Sequence, residues 1–172
     1  MRTPTTLLVL CTLATPAWSA PPPAGIADSL KTGGDEEVYL VAPATGVQIY
    51  ECLPKKDANT QFEWTFKAPE ALLYGEGREL LGKHYAGPTW EANDGSKVRG
   101  AVKARQDAPA GNIPWLLITA TPEGAGRFAN ITSIQRVDTV GGTAPKDGCD
   151  AASAGKVARV NYSAVYYFYR RK

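Results

Sequence analysis

The chain has 172 residues, 44% of them apolar, with 19 basic and 17 acidic side chains and a single histidine. A formal charge of +2 gives no electrostatic reason to expect nucleic acid or an anionic membrane as partner. The length suits one domain large enough to bury a proper core.

The first residues, MRTPTTLLVLCTLATPAWSA, place one positive charge at Arg2 ahead of an apolar run from Leu7 to Leu13. Ala17 and Ser19 follow with the spacing a signal peptidase accepts. Residues 1–19 therefore read as a secretory signal, too short for a stable membrane anchor, with the mature chain starting at Ala20. Cys11 does not make this a lipoprotein signal, because Leu10 precedes it where a small residue is needed. No other apolar run approaches spanning length, so no membrane insertion of the mature chain is expected. The destination is secreted or periplasmic. Cys52 and Cys149 remain after cleavage, and in an exported protein an even pair reads first as a disulfide; the alternative is two buried thiols.

Residues 20–36, APPPAGIADSLKTGGDE, are rich in proline, glycine and small side chains and predict a flexible arm. The domain proper spans 37–172. VYLVA (38–42) is followed by a proline-containing turn and then GVQIYEC (46–52). A short helical turn is allowed near KKDAN (55–59). QFEWTFK (61–67) alternates, with Phe62, Trp64 and Phe66 on one face. Strands at 80–85 and 89–92 flank a corner at 86–88, where Pro88 has no N–H for a sheet ladder. Asp94-Gly95 marks a hairpin turn at 93–96, because both residues tolerate positive φ. KVRGAVKAR (97–105) alternates again. WLLITAT (115–121) is apolar on both faces and reads as a central strand. NITSIQRVDTV (130–140) is rich in β-branched residues, with Arg136 and Asp138 on one face and able to pair. NYSAVYYFY (161–169) closes the chain. Period-two patterning without sustained helical periodicity predicts an all-β, antiparallel β-sandwich or flattened β-barrel.

GKHYAGPTWEANDGS (82–96) concentrates the chemistry. As scaffold, Trp90 fills core beside Ala92, Asn93 and Asp94 bond their own turn, and His84 is a satisfied polar residue. As a site, His84 with Glu91 and Asp94 would make an acid/base cluster, since histidine titrates near neutral pH and a carboxylate can orient it. No G-x-S-x-G elbow supplies a nucleophile. One histidine and no paired thiols leave too few ligands for zinc, and GDEE (34–37) is too short for calcium, so no metal and no cofactor are expected. GGTAPKDGCD (141–150) lacks the Gly-Lys-Ser/Thr signature of a phosphate loop.

Taken in order, GVQIYEC, FEWTFKAPEALLY, GKHYAGPTWEANDGSKVRG, IPWLLI, SIQRVDTVGGTAP with Cys149, and NYSAVYYFY resemble the domain of unknown function 3455 family, over residues from about 38 to 169. The resemblance implies export, a single β-rich domain and a Cys52–Cys149 pairing; it transfers no activity. The functional expectation is a binding module for a small molecule or glycan, with Trp90, His84 and Tyr85 lining a cleft. The alternatives are a cofactor-free hydrolase using His84 with Glu91, and a structural envelope protein without a ligand.

Overall fold

A computed structural model describes residues 21–172. The expected signal segment and its cleavage point before Ala20 lie outside the described residues. Eight strands follow in order: β1 (Glu36–Lys55), β2 (Ala58–Tyr74), β3 (Leu80–Tyr85), β4 (Thr89–Ala92), β5 (Lys97–Gln106), β6 (Trp115–Glu123), β7 (Ile131–Gly141) and β8 (Val157–Arg171). Each pairs antiparallel with the next, and β8 pairs with β1 from Glu36↔Arg171 to Glu51↔Val157. The result is a closed eight-stranded up-and-down barrel. Closure leaves no unpaired edge, and eight strands enclose an interior that side chains fill or that holds one small ligand.

Several local expectations change. The two segments expected on either side of a proline turn form one 20-residue strand, β1. Pro43 interrupts nothing, because it sits on the exposed side opposite Val165 and the ladder carries past it. Residues 55–59 make no helical turn; the reversal between β1 and β2 is confined to 56–57. β2 continues through the whole of APEALLY to Tyr74, shifted by a bulge opposite Ile49/Tyr50. Arg136 and Asp138 do not pair. A bulge between Val137 and Val140 and a positive φ at Asp138 (49°) break the alternation that would have put them on one face.

Alternation sorts the interior. Ala71 and Leu73, Trp90 and Ala92, Ile118, Ile134, and Ala164, Tyr166 and Phe168 all point inward and form one core. The small Ala42 on β1 lies opposite the large Tyr166 of β8, so the volumes fit. An antiparallel meander puts alternate connections at opposite ends. One end is plugged by Phe128 from the β6–β7 loop, its ring stacked on Phe168 at 4.9 Å. The Asp94 hairpin holds that plug. Its carboxylate accepts from Ser96 N (3.0 Å), Ser96 Oγ (2.6 Å) and Arg127 N (2.7 Å), and Ser96 Oγ accepts from Phe128 N. Gly95 takes φ 85°, as the turn requires.

The opposite end carries the β1–β2, β3–β4, β5–β6 and β7–β8 connections. There a disulfide joins Cys52 on β1 to Cys149 in the long β7–β8 connection, 97 residues apart. Trp64 Nε1 also donates to Asp147 O of that connection. The stretch before β1 lies on the outside of the barrel. It includes a 3-10 turn at Asp28–Leu30, whose Leu30 is fully buried. Gln135 Nε2 donates to Leu30 O (2.6 Å), and Ala27 N donates to Gln106 Oε1 (2.8 Å).

Candidate functional site

The second end of the barrel is open onto a cavity of 710 Å3. Its inner wall comes from inward positions on most of the strands: Gln48 and Tyr50 on β1, His84 on β3, Trp90 on β4, Leu116 and Ile118 on β6, Arg136 on β7 and Tyr166 on β8. Its mouth is made by Ala86–Pro88, by residues 107–114 of the β5–β6 connection, and by Thr143 and Ala144. Phe66 and Val102 stand at that mouth with about half their surface in solvent (52% and 58%).

His84 and Trp90 are cross-strand partners, so their rings meet on the inner face. The rings stack at 4.2 Å and 8°, and Tyr166 meets both edge-on at 5.5 and 5.6 Å. Both side chains are almost wholly buried, 3% exposed for His84 and 1% for Trp90. His84 Nδ1 lies 2.9 Å from Thr89 O. A carbonyl only accepts, so Nδ1 carries the proton and Nε2 keeps its lone pair. Burial drives the His84 pKa down to about 3; the Thr89 bond opposes this and the positive Arg136 adds to it. The imidazole is neutral at physiological pH and a far weaker base than a catalytic histidine poised near 7.

The other expected residues are held elsewhere. Glu91 faces outward, across from Lys83 rather than His84. It accepts from Tyr85 Oη (2.7 Å) and lies 3.5 and 3.4 Å from Lys83 and Lys97. The Tyr85 bond first, then the two lysines, hold the Glu91 carboxyl below its ordinary range against some desolvation. Tyr85 is thereby on the outer face, away from the cavity. Asp94 is at the plugged end, lowered to about 2 mainly by the Ser96 hydroxyl and the Arg127 backbone N–H. The structure thus brings His84 and Trp90 together and separates both from Glu91, Asp94 and Tyr85. One-residue alternation is the reason for Glu91 and Tyr85, whereas Asp94 lies in the β4–β5 turn at the other end.

Gln48, Tyr50, Arg136 and Tyr166 were not anticipated in the site. Arg136 is half-buried and points inward; its Nε and a terminal nitrogen both donate to Pro114 O at 3.2 and 2.9 Å. Among the described residues it forms no ion pair. It lines the cavity with Tyr50, His84 and Tyr166, and its charge acts on all three. Two more donors belong to residues that line the same cavity. Trp90 Nε1 and Gln48 Nε2 are buried without a hydrogen-bond partner; the Gln48 amide influences the Tyr162 hydroxyl without a well-formed bond. A charge two residues after the inward Ile134 was the signal for Arg136, and the bulge at Asp138 obscured which face it served.

The barrel, its disulfide and the inward His84–Trp90 pair all fall in the segment that a family model matches, residues 33–170, described as "Protein of unknown function (DUF3455)". The chain belongs to the DUF3455 family. No curated protein and no solved structure matches it. The GKHYAGPTWEANDGS region (82–96) of this DUF3455 chain therefore has three jobs: its histidine and tryptophan line the cavity, its glutamate orders the outer surface, and its Asp-Gly turn secures the plugged end.

Proposed function

We propose that this protein is an exported binding module that holds one small, largely apolar molecule in the mouth of its barrel. The observation carrying this reading is the 710 Å3 cavity with unpartnered donors, Trp90 Nε1 and Gln48 Nε2, buried in its wall. Ligand sites are commonly about 300–1,000 Å3, mostly apolar, with a few convergent polar groups, and barrel mouths are a favoured place for them. A buried donor left unbonded costs about 1–3 kcal/mol, which a ligand or bound water offsets. A compact molecule is favoured over a glycan because His84 covers one face of Trp90 and Tyr166 meets its ring edge-on. No open aromatic platform is left at that depth. The Cys52–Cys149 disulfide suits an oxidising, secreted or periplasmic setting.

The test uses N-phenyl-1-naphthylamine, a neutral apolar fluorophore, with the mature protein. Its emission should rise on binding and transfer energy from Trp90. Leu116→Trp, which fills the cavity, should abolish the rise while retaining a cooperative melt. A fluorophore that does not bind, or that binds the filled variant equally well, overturns the proposal.

A further inference from the structure

The cavity contains a positive charge that no ion pair among the described residues neutralises. Arg136 uses two of its five N–H groups on the Pro114 carbonyl, and it lines the cavity together with Tyr166. Among the described residues no carboxylate pairs with it. The other charged groups lining the cavity are Lys67, Arg105 and Asp107. Lys67 is engaged by Glu51 at 2.9 Å, and Arg105 and Asp107 lie 3.7 Å apart, so both are satisfied at the mouth. Arg136 alone places its charge among the buried rings of His84, Trp90 and Tyr166.

The neutral groups beside it reinforce this polarity. Trp90 Nε1 donates only, and the orphaned atom of Gln48 is likewise a donor. His84 adds no positive charge, since it stays neutral there. Three N–H sources on residues lining one largely apolar space call for acceptor atoms, and a half-buried guanidinium calls for a negative one. A planar carboxylate matches the guanidinium fork in two parallel bonds. The apolar walls, including Leu116, Ile118 and Phe66, suit an apolar body attached to it.

Building on the binding reading above, we infer that the cavity selects a carboxylic acid with an apolar or aromatic body, its carboxylate bound by Arg136 and its body lying toward the Phe66–Val102 mouth.

The test compares 1-pyrenebutyrate with its amide, which share one body and one size, by fluorescence titration at pH 7.5. Wild type should bind the acid roughly tenfold or more tightly than the amide. Arg136→Gln should bring that ratio to about one. Arg136→Lys, which keeps the charge and loses the fork, should leave an intermediate ratio. The ratio is the readout because Arg136 also ties the β5–β6 connection through Pro114; a loosened mouth weakens acid and amide alike and leaves their ratio unchanged. Lys67→Gln and Arg105→Gln should not alter it. A wild-type ratio near one overturns this inference, as does a ratio that survives Arg136→Gln or disappears with either mouth variant. If the amide and the neutral naphthylamine bind but the acid has no advantage, only this inference fails. If none of the three binds, the binding reading fails with it.

Discussion

Burial gives His84 a measurable effect on acid stability. Its ordinary pKa of 6.5 falls to about 3 in the folded protein, chiefly through burial. Below pH 6.5 the unfolded chain takes up a proton that the folded chain resists. The stabilisation is therefore complete above 6.5 and is lost as the pH falls toward 3. Thr89 O, Trp90, Tyr166 and Arg136 face the ring, and no carboxylate is among them. Denaturant midpoints of wild type and His84→Gln should show wild type's advantage shrinking by about 3 kcal/mol between pH 7 and pH 4. The lowered carboxylates Asp94 and Glu91 titrate in both proteins and cancel in that difference. A constant difference across the range would mean that His84 is not held neutral. Trp90 sets the packing beside it. Trp90→Ala should cost about 3–5 kcal/mol, read as a large drop in melting temperature. Gly100 supplies the space for that ring: a Cβ there would lie 2.5 Å from Ile118 Cγ2 and 2.7 Å from Trp90 Cζ3. Gly100→Ala should cost about 1–3 kcal/mol by overpacking and should reduce N-phenyl-1-naphthylamine binding.

At the scale of elements, the outer segment before β1 has its own small core. Leu30 is sealed against the barrel beside the outward-facing Gln135, whose Oε1 accepts from Tyr169 Oη. The Gly33-Gly34 pair lies just beyond this anchor, so composition-based flexibility and local burial meet within a few residues. Leu30→Ala should destabilise by about 2–5 kcal/mol. A chain starting at residue 27 should melt close to the mature protein, whereas one starting at residue 36 should melt well below it. Equal melting temperatures for both truncations would make the segment a passive arm. The Asp94 turn is a second such device, since one carboxylate fixes the β4–β5 turn and the β6–β7 loop together. Asp94→Asn keeps an acceptor but removes the charge. Its effect should appear as earlier amide exchange at Arg127 and Phe128, with the cavity unaffected.

For the whole molecule, closure depends on contacts between the chain's two ends, with Glu36 opposite Arg171. Such non-local pairing makes folding slow, and the disulfide across 97 residues limits how far the unfolded chain can expand. Replacing both Cys52 and Cys149 by alanine should lower stability by about 4–5 kcal/mol in the chain-entropy picture, measured by denaturant midpoint. Wild-type protein starting at Ala20, unfolded without reductant, should show no titratable thiol. Because the disulfide ties down the β7–β8 connection, which brings Thr143 and Ala144 to the mouth, reduction should also weaken N-phenyl-1-naphthylamine binding. Unchanged binding after reduction would show that the mouth is held by the strands alone.

Local patterning along the chain already determined the all-β class, most strand positions, the 93–96 turn and the inward pairing of Trp90 with Ala92. Each of these rests on short-range rules: side chains alternate every residue, Asp-Gly accepts positive φ, and proline withholds a donor. The cysteine pairing was likewise legible, because once Cys11 is assigned to the expected signal segment only Cys52 and Cys149 are left to join. Tertiary structure alone decided between sandwich and barrel, since the β1–β8 ladder that closes the ring joins residues more than a hundred positions apart. It also decided the membership of the site. His84 and Glu91 lie seven residues apart in sequence, yet the β3–β4 hairpin sets His84 opposite Trp90 and turns Glu91 to the outer face. Arg136, far from both in sequence, arrives among the inner rings because β7 lies against β8 and a bulge after Val137 leaves Asp138 on the surface. Which residues share an interior depends on register and closure, and those are properties of strand pairs rather than of any one strand.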